Sequence, residues 1–542
     1  MIINKVVHGE RCHKIPAHLS FGQYVIDMLK EHAQGDRIAL VNGDTGHKTT
    51  YNELLQNVVN VASGLKAMGV KRGEVVALCS ENRVEFMVTA IAIICCGATV
   101  TTLNPLYTKD ELLHVLNISQ PRILFCSLMV LKNQLESYKS FSSIKTIIQF
   151  DGPPINSGVV SYENIHIKSN AWEYEAAEVQ GWTDTVYLLY SSGTTGLPKG
   201  VMLTHLNALY AAANYENATT YDEAYARFLT IVPWYHAYGL MTTINYFTVR
   251  KCLVFFAGFN PEKYFSAIQD YKINVLLMVP PMVVFLAKSP IAAKYDLSSV
   301  NIAWCGAAPL TKETIEAAMK RMPNCKGIFQ AYGMTETSTA ATMDPEDDDN
   351  RRKIGSGGLP LPGIRAKVVD VETRQKLGPN QNGEICIKGP VVMKGYAGNE
   401  VATHDIFDEE GYIKTGDIGY YDEDGYFFIV DRFKELIKYK GLQVAPAAIE
   451  SVVLQHKDVA ECGVVGKPDE VAGELPTAFI VLKPGANVTA KELQDFTASR
   501  LSPEYRLRGG IIFVKDIPKN PSGKILRRFL KQKLQEKPQS KL

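Results

Sequence analysis

The chain has 542 residues, 46% of them hydrophobic and 21% charged, with a formal net charge of +1 at pH 7. This length exceeds one ordinary hydrophobic core and implies two or more domains. The balanced charge gives no reason to invoke nucleic acid or an anionic membrane surface as partner. No long apolar run opens the chain, so no secretory signal is expected. The longest apolar stretch, residues 87–100, contains Thr89, Cys95, Cys96 and Gly97. It reads as a buried helix running into a strand, not a membrane span. The 10 cysteines include no C-x-x-C pair or Cys/His ligand set. They read as reduced, mostly buried thiols, and structural zinc is not expected.

In chain order, residues 75–79 read as a buried strand, 85–94 as a helix and 122–126 as another strand. This repeated β-then-α pattern argues for an α/β architecture with largely parallel sheets. It continues through an apolar run at 186–190, a strand at 275–279 stopped by Pro280 and Pro281, and a strand at 301–305 before Gly306. From about residue 362 the texture changes to short strands at 366–370, 383–387 and 425–430, a smaller β-rich unit spanning about 362–430. A charged segment at 431–435 marks the expected boundary between an N-terminal domain, 1–432, and a C-terminal domain, 433–542. In the latter, residues 449–456 and 490–501 read as helices and 478–482 as a strand. The tail from Lys531 is charged and expected to be mobile. It ends in Ser540, Lys541 and Leu542, a peroxisomal address read by an import receptor.

The densest chemical signal follows the strand at 186–190. Ser191, Ser192, Gly193, Thr194, Thr195, Gly196, Leu197, Pro198, Lys199 and Gly200 supply three glycines, four hydroxyls and one lysine in ten residues. Such a loop can wrap a polyphosphate, because glycine lets backbone N–H groups approach the anion and hydroxyls add donors. No Walker A spacing fits it. Five further Gly-marked polar segments stand at strand ends. Residues 232–239 set His236 among aromatics, where a packed core histidine is the commoner outcome. Residues 330–337 pair Tyr332 with Thr335 and Glu336; the tyrosine could stack on a base and the carboxylate hold Mg²⁺, or the pair could simply start a helix. Asp417 ends the segment 412–417, as a turn residue or as an acceptor for ribose hydroxyls. Lys434, Lys438 and Lys440 crowd around Gly441, a pattern usual for a solvated face. Lys524 follows a turn rich in proline and glycine.

Taken together and in this order, the segments resemble the adenylate-forming superfamily of acyl-CoA synthetases, 4-coumarate–CoA ligases and beetle luciferases. The resemblance runs from about Tyr51 to Arg528 and is greatest to insect luciferase-like acyl-CoA ligases, through residues 420–425 and 436–446. It implies a large N-terminal domain of α/β subdomains plus the β-rich subdomain, and a small mobile α+β C-terminal lid. It implies ATP, Mg²⁺ and coenzyme A as cofactors and a small-molecule carboxylic acid as substrate. Residues 191–200, with Ser191 to Gly196 and Lys199, would grip the β- and γ-phosphates. Thr335 would contact the α-phosphate and Glu336 would position Mg²⁺. Gly306, Ala307, Ala308, Pro309, Gln330, Ala331, Tyr332 and Gly333 would surround the nucleotide, with Tyr332 stacking on adenine. Asp417 and Arg432 would take the ribose. Lys524 would bridge the substrate carboxylate and the α-phosphate. After a rotation about Lys434, Lys438, Lys440, Gly441 and Gln443 would replace it and guide a thiol. The acyl pocket would comprise His236, Tyr238, Thr242, Trp304, Cys305, Gly306, Ala307, Thr339 and Ala340.

The same ATP machinery serves a CoA ligase and a luciferase that passes its adenylate to O₂. Beetle luciferases resemble the chain but typically carry an arginine at Ala211, a second histidine at Tyr235 and a Ser-Gly-Gly run at 305–307, where this chain has Cys305, Gly306 and Ala307 after bulky Trp304. Loss of a guanidinium and gain of bulk disfavour a rigid bicyclic substrate. The expectation is an acyl-CoA ligase acting on a fatty or aromatic acid; the alternative is a beetle-type luciferase, or a ligase with weak luciferase activity.

Overall fold

A computed structural model describes residues 1–11, 15–191, 198–218, 226–306, 310, 312–345, 352–440, 442–519 and 524–535. Ser192 to Gly196, Ala307, Ala308, Pro309, Gly441 and the terminal Ser540-Lys541-Leu542, all named above, lie outside them. The fold is α/β, built on four sheets.

Two large sheets form the body. In the eight-stranded sheet, parallel strands Thr99–Thr102, Val75–Cys79, Ile123–Cys126, Thr146–Gln149 and Val159–Ser161 lie side by side. The hairpin Thr185–Ser191 and Lys199–Thr204 extends this sheet. The nine-stranded sheet carries Ile38–Asn42, Cys252–Phe255, Arg227–Thr230, Val275–Met278, Ile302–Cys305 and Gly327–Tyr332 in parallel. Helix Val84–Cys95 is buried along its whole length from Phe86 to Cys95. A helix apolar on every face belongs in a core, which is why its sequence shows no amphipathic period. Strand edges match the sequence reading closely. Pro280 and Pro281 do more than stop a strand: they open helix Pro280–Lys288, because the N–H missing from proline is one the first helical turn leaves unbonded anyway.

The third sheet is antiparallel and six-stranded, with Arg365–Val369, Gly383–Lys388 and Ile413–Tyr421 inside it and Phe427–Arg432 at one edge. Two amino-terminal strands, Ile2–Ile3 and Val6–His8, complete it. One nearby pair, Gly395–Tyr396, instead joins the eight-stranded sheet beside Val201 and Met202. Asp417 sits inside strand Ile413–Tyr421 and not at a turn, directly opposite Arg432. The fourth sheet begins at Ile437 and holds Ile437–Tyr439, Leu442–Val444, Val459–Asp469, Gly473–Leu482 and Gly510–Phe513. Helix Arg527–Gln535 packs on it, so the start of the tail expected to be mobile is helical.

Among the described residues no helix is long and apolar enough to cross a membrane. The described cysteines are free thiols, all buried except the half-buried Cys252.

Candidate active site

In open parallel sheets, ligand sites gather at the carboxyl ends of the strands, where successive loops converge. Here the strands ending at Thr230, Cys305 and Tyr332 deliver their following loops to one cavity of about 1370 Å³. The six-stranded sheet and the C-terminal unit close its other side through Arg432, Lys434 and Lys524.

One end of the cavity is charged. Strand Lys199–Thr204 begins opposite Ser191, and both residues line the wall. The Lys199 ammonium lies 4.8 Å from the centre of the Tyr396 ring. The Tyr396 hydroxyl donates to Glu336 Oε1 at 2.9 Å, which fixes the carboxylate, itself only 3% exposed. Burial and this neighbouring carboxylate raise the Tyr396 pKa, so the phenol stays a donor. Thr335 opens a single 3₁₀ turn, Thr335–Thr337, in place of the longer helix that a Thr-Glu start would suit. Gly333 makes the turn possible: a Cβ there would sit 1.9 Å from the Thr339 carbonyl oxygen.

Asp417 is doubly held, Oδ1 by Arg432 Nε at 3.0 Å and Oδ2 by the Tyr332 hydroxyl at 2.8 Å. Tyr332 and Asp417 therefore stand behind the wall that Ala331, Gly333, Gly416 and Arg432 form. The sequence reading gave Tyr332 to a base and Asp417 to ribose; here the two bind each other first. Gln330, expected at the nucleotide, is a structural residue: its Nε2 donates to the Ser356 carbonyl at 2.9 Å and its N–H donates to Asp344 at 2.9 Å. Burial pushes the Asp344 carboxyl up to about 6.

Lys524 reaches the cavity from the C-terminal unit. Its Nζ is 3.7 Å from Glu435 Oε1. Burial first, then the like charge of Arg432, lowers its pKa, while Glu435 and Asp417 oppose that. Arg527 anchors the same corner: it donates to Glu435 at 2.8 Å and, with its other terminal nitrogen, to both Glu450 oxygens at 2.8 Å. The expected second set does not join it. Lys438 and Lys440 are exposed residues of the hairpin Ile437–Tyr439 and Leu442–Val444, outside the cavity wall, where the Lys440 N–H donates to the Ala472 carbonyl at 2.8 Å. Gln443 shares that hairpin.

The other end is neutral and largely aromatic. Tyr238, Thr242, Trp304, Cys305, Gly306, Thr339 and Ala340 line it, as the sequence reading expected of the acyl pocket. His236 caps the start of helix Ala237–Thr248 and faces the cavity, and burial holds its pKa down at about 4, so it is a neutral imidazole at physiological pH. Asn214, Tyr215 and Tyr246 also line the wall, the first two within the stretch 210–225 that the sequence places at the pocket as a loop but that is helical to Ala218; Tyr396, Glu435 and Arg527 support the charged end and no sequence motif flagged them.

Among the described residues no cluster of three or more His, Cys, Asp or Glu side chains is placed to hold a metal. Glu336, one buried carboxylate with its orientation fixed, suits Mg²⁺, which uses one or two carboxylates together with substrate phosphates and water.

The family model for AMP-binding enzymes matches residues 29–397, and that for the C-terminal domain of AMP-binding enzymes matches 448–524. The chain is 41% identical over 534 residues to luciferin 4-monooxygenase of Nipponoluciola cruciata, covering 96% of each chain. It is 37% identical over 510 residues to peroxisomal OPC-8:0-CoA ligase 1 of Arabidopsis thaliana, covering 93% of this chain and 92% of that one. Among solved structures, ATP-bound MatB from Rhodopseudomonas palustris is similar with a TM-score of 0.83 at 28% identity, covering 96% of this chain and 99% of that one. The chain therefore belongs to the AMP-binding enzymes, the adenylate-forming superfamily that unites acyl-CoA synthetases, 4-coumarate–CoA ligases and beetle luciferases.

Proposed function

We propose that the protein is an ATP-dependent acid–thiol ligase: a carboxylic acid and ATP give acyl-AMP and pyrophosphate, and coenzyme A then gives the acyl-CoA and AMP. One observation carries this reading. A single cavity joins a charged end, built on Lys199, Glu336 and Arg432, to a neutral aromatic end, with Lys524 entering from the C-terminal unit.

In the first step a carboxylate oxygen attacks the α-phosphorus and the bond to pyrophosphate breaks. Two anions must approach, so the barrier is largely electrostatic. Preorganised cations in a water-poor site lower it without reorganising during the reaction. Lys524 supplies a compact charge between carboxylate and phosphate, and Lys199 with residues 191–198 holds the departing pyrophosphate. Thr335 donates to the α-phosphate. Glu336, oriented by Tyr396, would hold Mg²⁺, whose contribution is to neutralise phosphate charge. In the second step the thiol sulfur attacks the acyl carbonyl, the bond to AMP breaks, and Lys438, Lys440, Gly441 and Gln443 enter in place of Lys524. Neutral His236 lies where acyl and thiol meet and presents no competing charge.

The 41% identity to a luciferase supports a second reading, adenylation of luciferin followed by attack of O₂. Bulky Trp304 in the cavity wall, and alanine in place of arginine at 211, weigh against it. The test is AMP release from ATP, Mg²⁺ and a panel of fatty and cinnamic-type acids, with and without coenzyme A. Release that depends on the thiol supports the ligase. Bright, sustained light from luciferin with no acid accepted overturns it. We further propose delivery to peroxisomes through Ser540, Lys541 and Leu542, tested by fusing residues 531–542 to the end of a fluorescent reporter.

A further inference from the structure

We infer that the neutral end of the cavity selects acids bearing an uncharged hydrogen-bonding group, typically a hydroxyl, remote from their carboxylate, and that Asn214 reads that group. The inference deepens the ligase reading and rests on it.

Asn214 lies on helix His205–Ala218 after the buried alanines 211–213. It is 4% exposed and lines the cavity. Both its Oδ1 and its Nδ2 are buried without a hydrogen-bond partner. Two other buried amides here are treated differently, although Asn245 Nδ2 is also buried without a partner. Asn207, one face of the same helix earlier, accepts from Thr204 through Oδ1 at 2.8 Å and 3.0 Å, and donates through Nδ2 to the carbonyls of Pro390 and Val392 at 2.7 Å and 3.0 Å. Asn82 donates to the Val232 carbonyl at 3.2 Å and accepts the Trp234 N–H at 2.8 Å. Those amides hold the fold together. The Asn214 side chain makes no such bond and lies in the wall of the cavity.

Its neighbours on the wall leave it no internal partner. The Tyr215 hydroxyl and Thr242 Oγ1 bond each other at 3.0 Å. Tyr246 meets Tyr215 edge to face at 5.4 Å and lies against Phe228 at 4.2 Å. A buried polar group without a partner is unfavourable, so an amide kept in this position signals a ligand that completes it. A hydroxyl both donates and accepts and satisfies Oδ1 and Nδ2 together. A methyl end leaves both unpaired. A second carboxylate could only accept, and Asn214, Tyr215, Thr242, Tyr246 and Trp304 offer it no cation.

The experiment compares matched acids: 4-hydroxycinnamic with cinnamic acid, and 12-hydroxydodecanoic with dodecanoic and dodecanedioic acids. Pyrophosphate release and acyl-CoA formation are read as kcat/KM. The wild type should favour the hydroxylated member of a pair by about 10- to 100-fold, the range set by leaving one or two buried polar groups unpaired. Asn214→Leu, close in volume, should collapse that ratio towards one while Tm stays at or above the wild-type value, since it removes the unpaired amide. Preference for the unsubstituted acid in both pairs, preference for the diacid, or an unchanged ratio in Asn214→Leu overturns the inference while leaving the ligase intact. The wild-type ratio decides even if the variant fails to fold. Absence of adenylation with every acid overturns the ligase reading and this inference together.

Discussion

Lys524→Ala separates the two half-reactions. In the structure Lys524 has side-chain exposure of 23% and an ion-pair distance of 3.7 Å to Glu435, while Glu435 keeps Arg527 at 2.8 Å whether or not the lysine is present. Folding should therefore change by less than about 1 kcal/mol, the usual range for a partly solvated pair. Catalysis should change far more. Removing one preorganised donor from a developing negative charge typically slows the chemical step about 10²- to 10³-fold, equivalent to about 2.7–4 kcal/mol. Pyrophosphate release from ATP and acid measures the first half-reaction, and conversion of synthetic acyl-AMP by coenzyme A measures the second. The first should fall by that factor and the second should persist, with Tm nearly unchanged. Equal loss in both halves would refute the assignment of Lys524 to adenylation, and a large drop in Tm would refute the stability argument.

Gly333→Ala would place a Cβ 1.9 Å from the Thr339 oxygen and 2.8 Å from Ala340 Cα, displacing the turn that carries Thr335 and Glu336. A shift near 1 Å predicts roughly 10²-fold slower adenylation, checked by pyrophosphate release. Arg527→Met strands buried Glu450 and its neighbour Asp431, and should lower unfolding free energy by about 3–5 kcal/mol in denaturant titrations, with partial recovery in Arg527→Met/Glu450→Gln. Buried His205 has its pKa held at about 4 by desolvation, against an ordinary value of 6.5. The unfolded chain then binds the proton first, so this contribution is complete above pH 6.5 and is lost as pH falls towards 4. At pH 5 the loss is about 2 kcal/mol. His205→Asn retains an acceptor for the Phe21 N–H, which His205 Nδ1 takes at 3.2 Å, and should flatten stability between pH 7 and 5; an unchanged slope would contradict it.

Runs of unusual residues pointed in the sequence to Ser191, Lys199, Thr335, Glu336 and Lys524, and the structure brings these five to one cavity. The partners that orient those residues were not legible there. Tyr396 is 60 residues from Glu336 and Asp417 is 85 from Tyr332, and only tertiary packing between different sheets and loops makes each of them adjacent. Strand Gly395–Tyr396 leaves the β-rich region for the eight-stranded sheet, which no local pattern announces. Asn214 was not singled out, for the opposite reason. A lone asparagine in an alanine-rich helix carries no motif, and its meaning lies in what it fails to bond.

The lysines on the C-terminal unit bear on why the proposed two steps would call for two arrangements. Lys438 and Lys524 belong to one unit, the first on a strand of its sheet and the second just before helix Arg527–Gln535 that packs on that sheet. Their separation is fixed by that packing, so bringing the Lys438 hairpin to the cavity must carry Lys524 away. The contacts across the face of the unit include Arg528 with Glu111 at 3.4 Å, at side-chain exposures of 53% and 27%, and Lys288 with the carbonyls of Leu454 and Val459 at 3.2 Å and 3.4 Å, while beside the joint the Ala447 N–H donates to Asp431 at 3.0 Å and Ile418 packs with Leu436 and Ala445. A solvated ion pair such as Arg528 with Glu111 contributes about 0–1 kcal/mol. The tight pairs, Arg527 with Glu435 and Glu450, lie within the unit and its joint at Phe433–Glu435. The proposed rotation would keep the strong bonds inside the unit and break solvated ones on the face away from the joint. The unit can then exchange a charge suited to joining two anions for a hairpin suited to admitting a thiol.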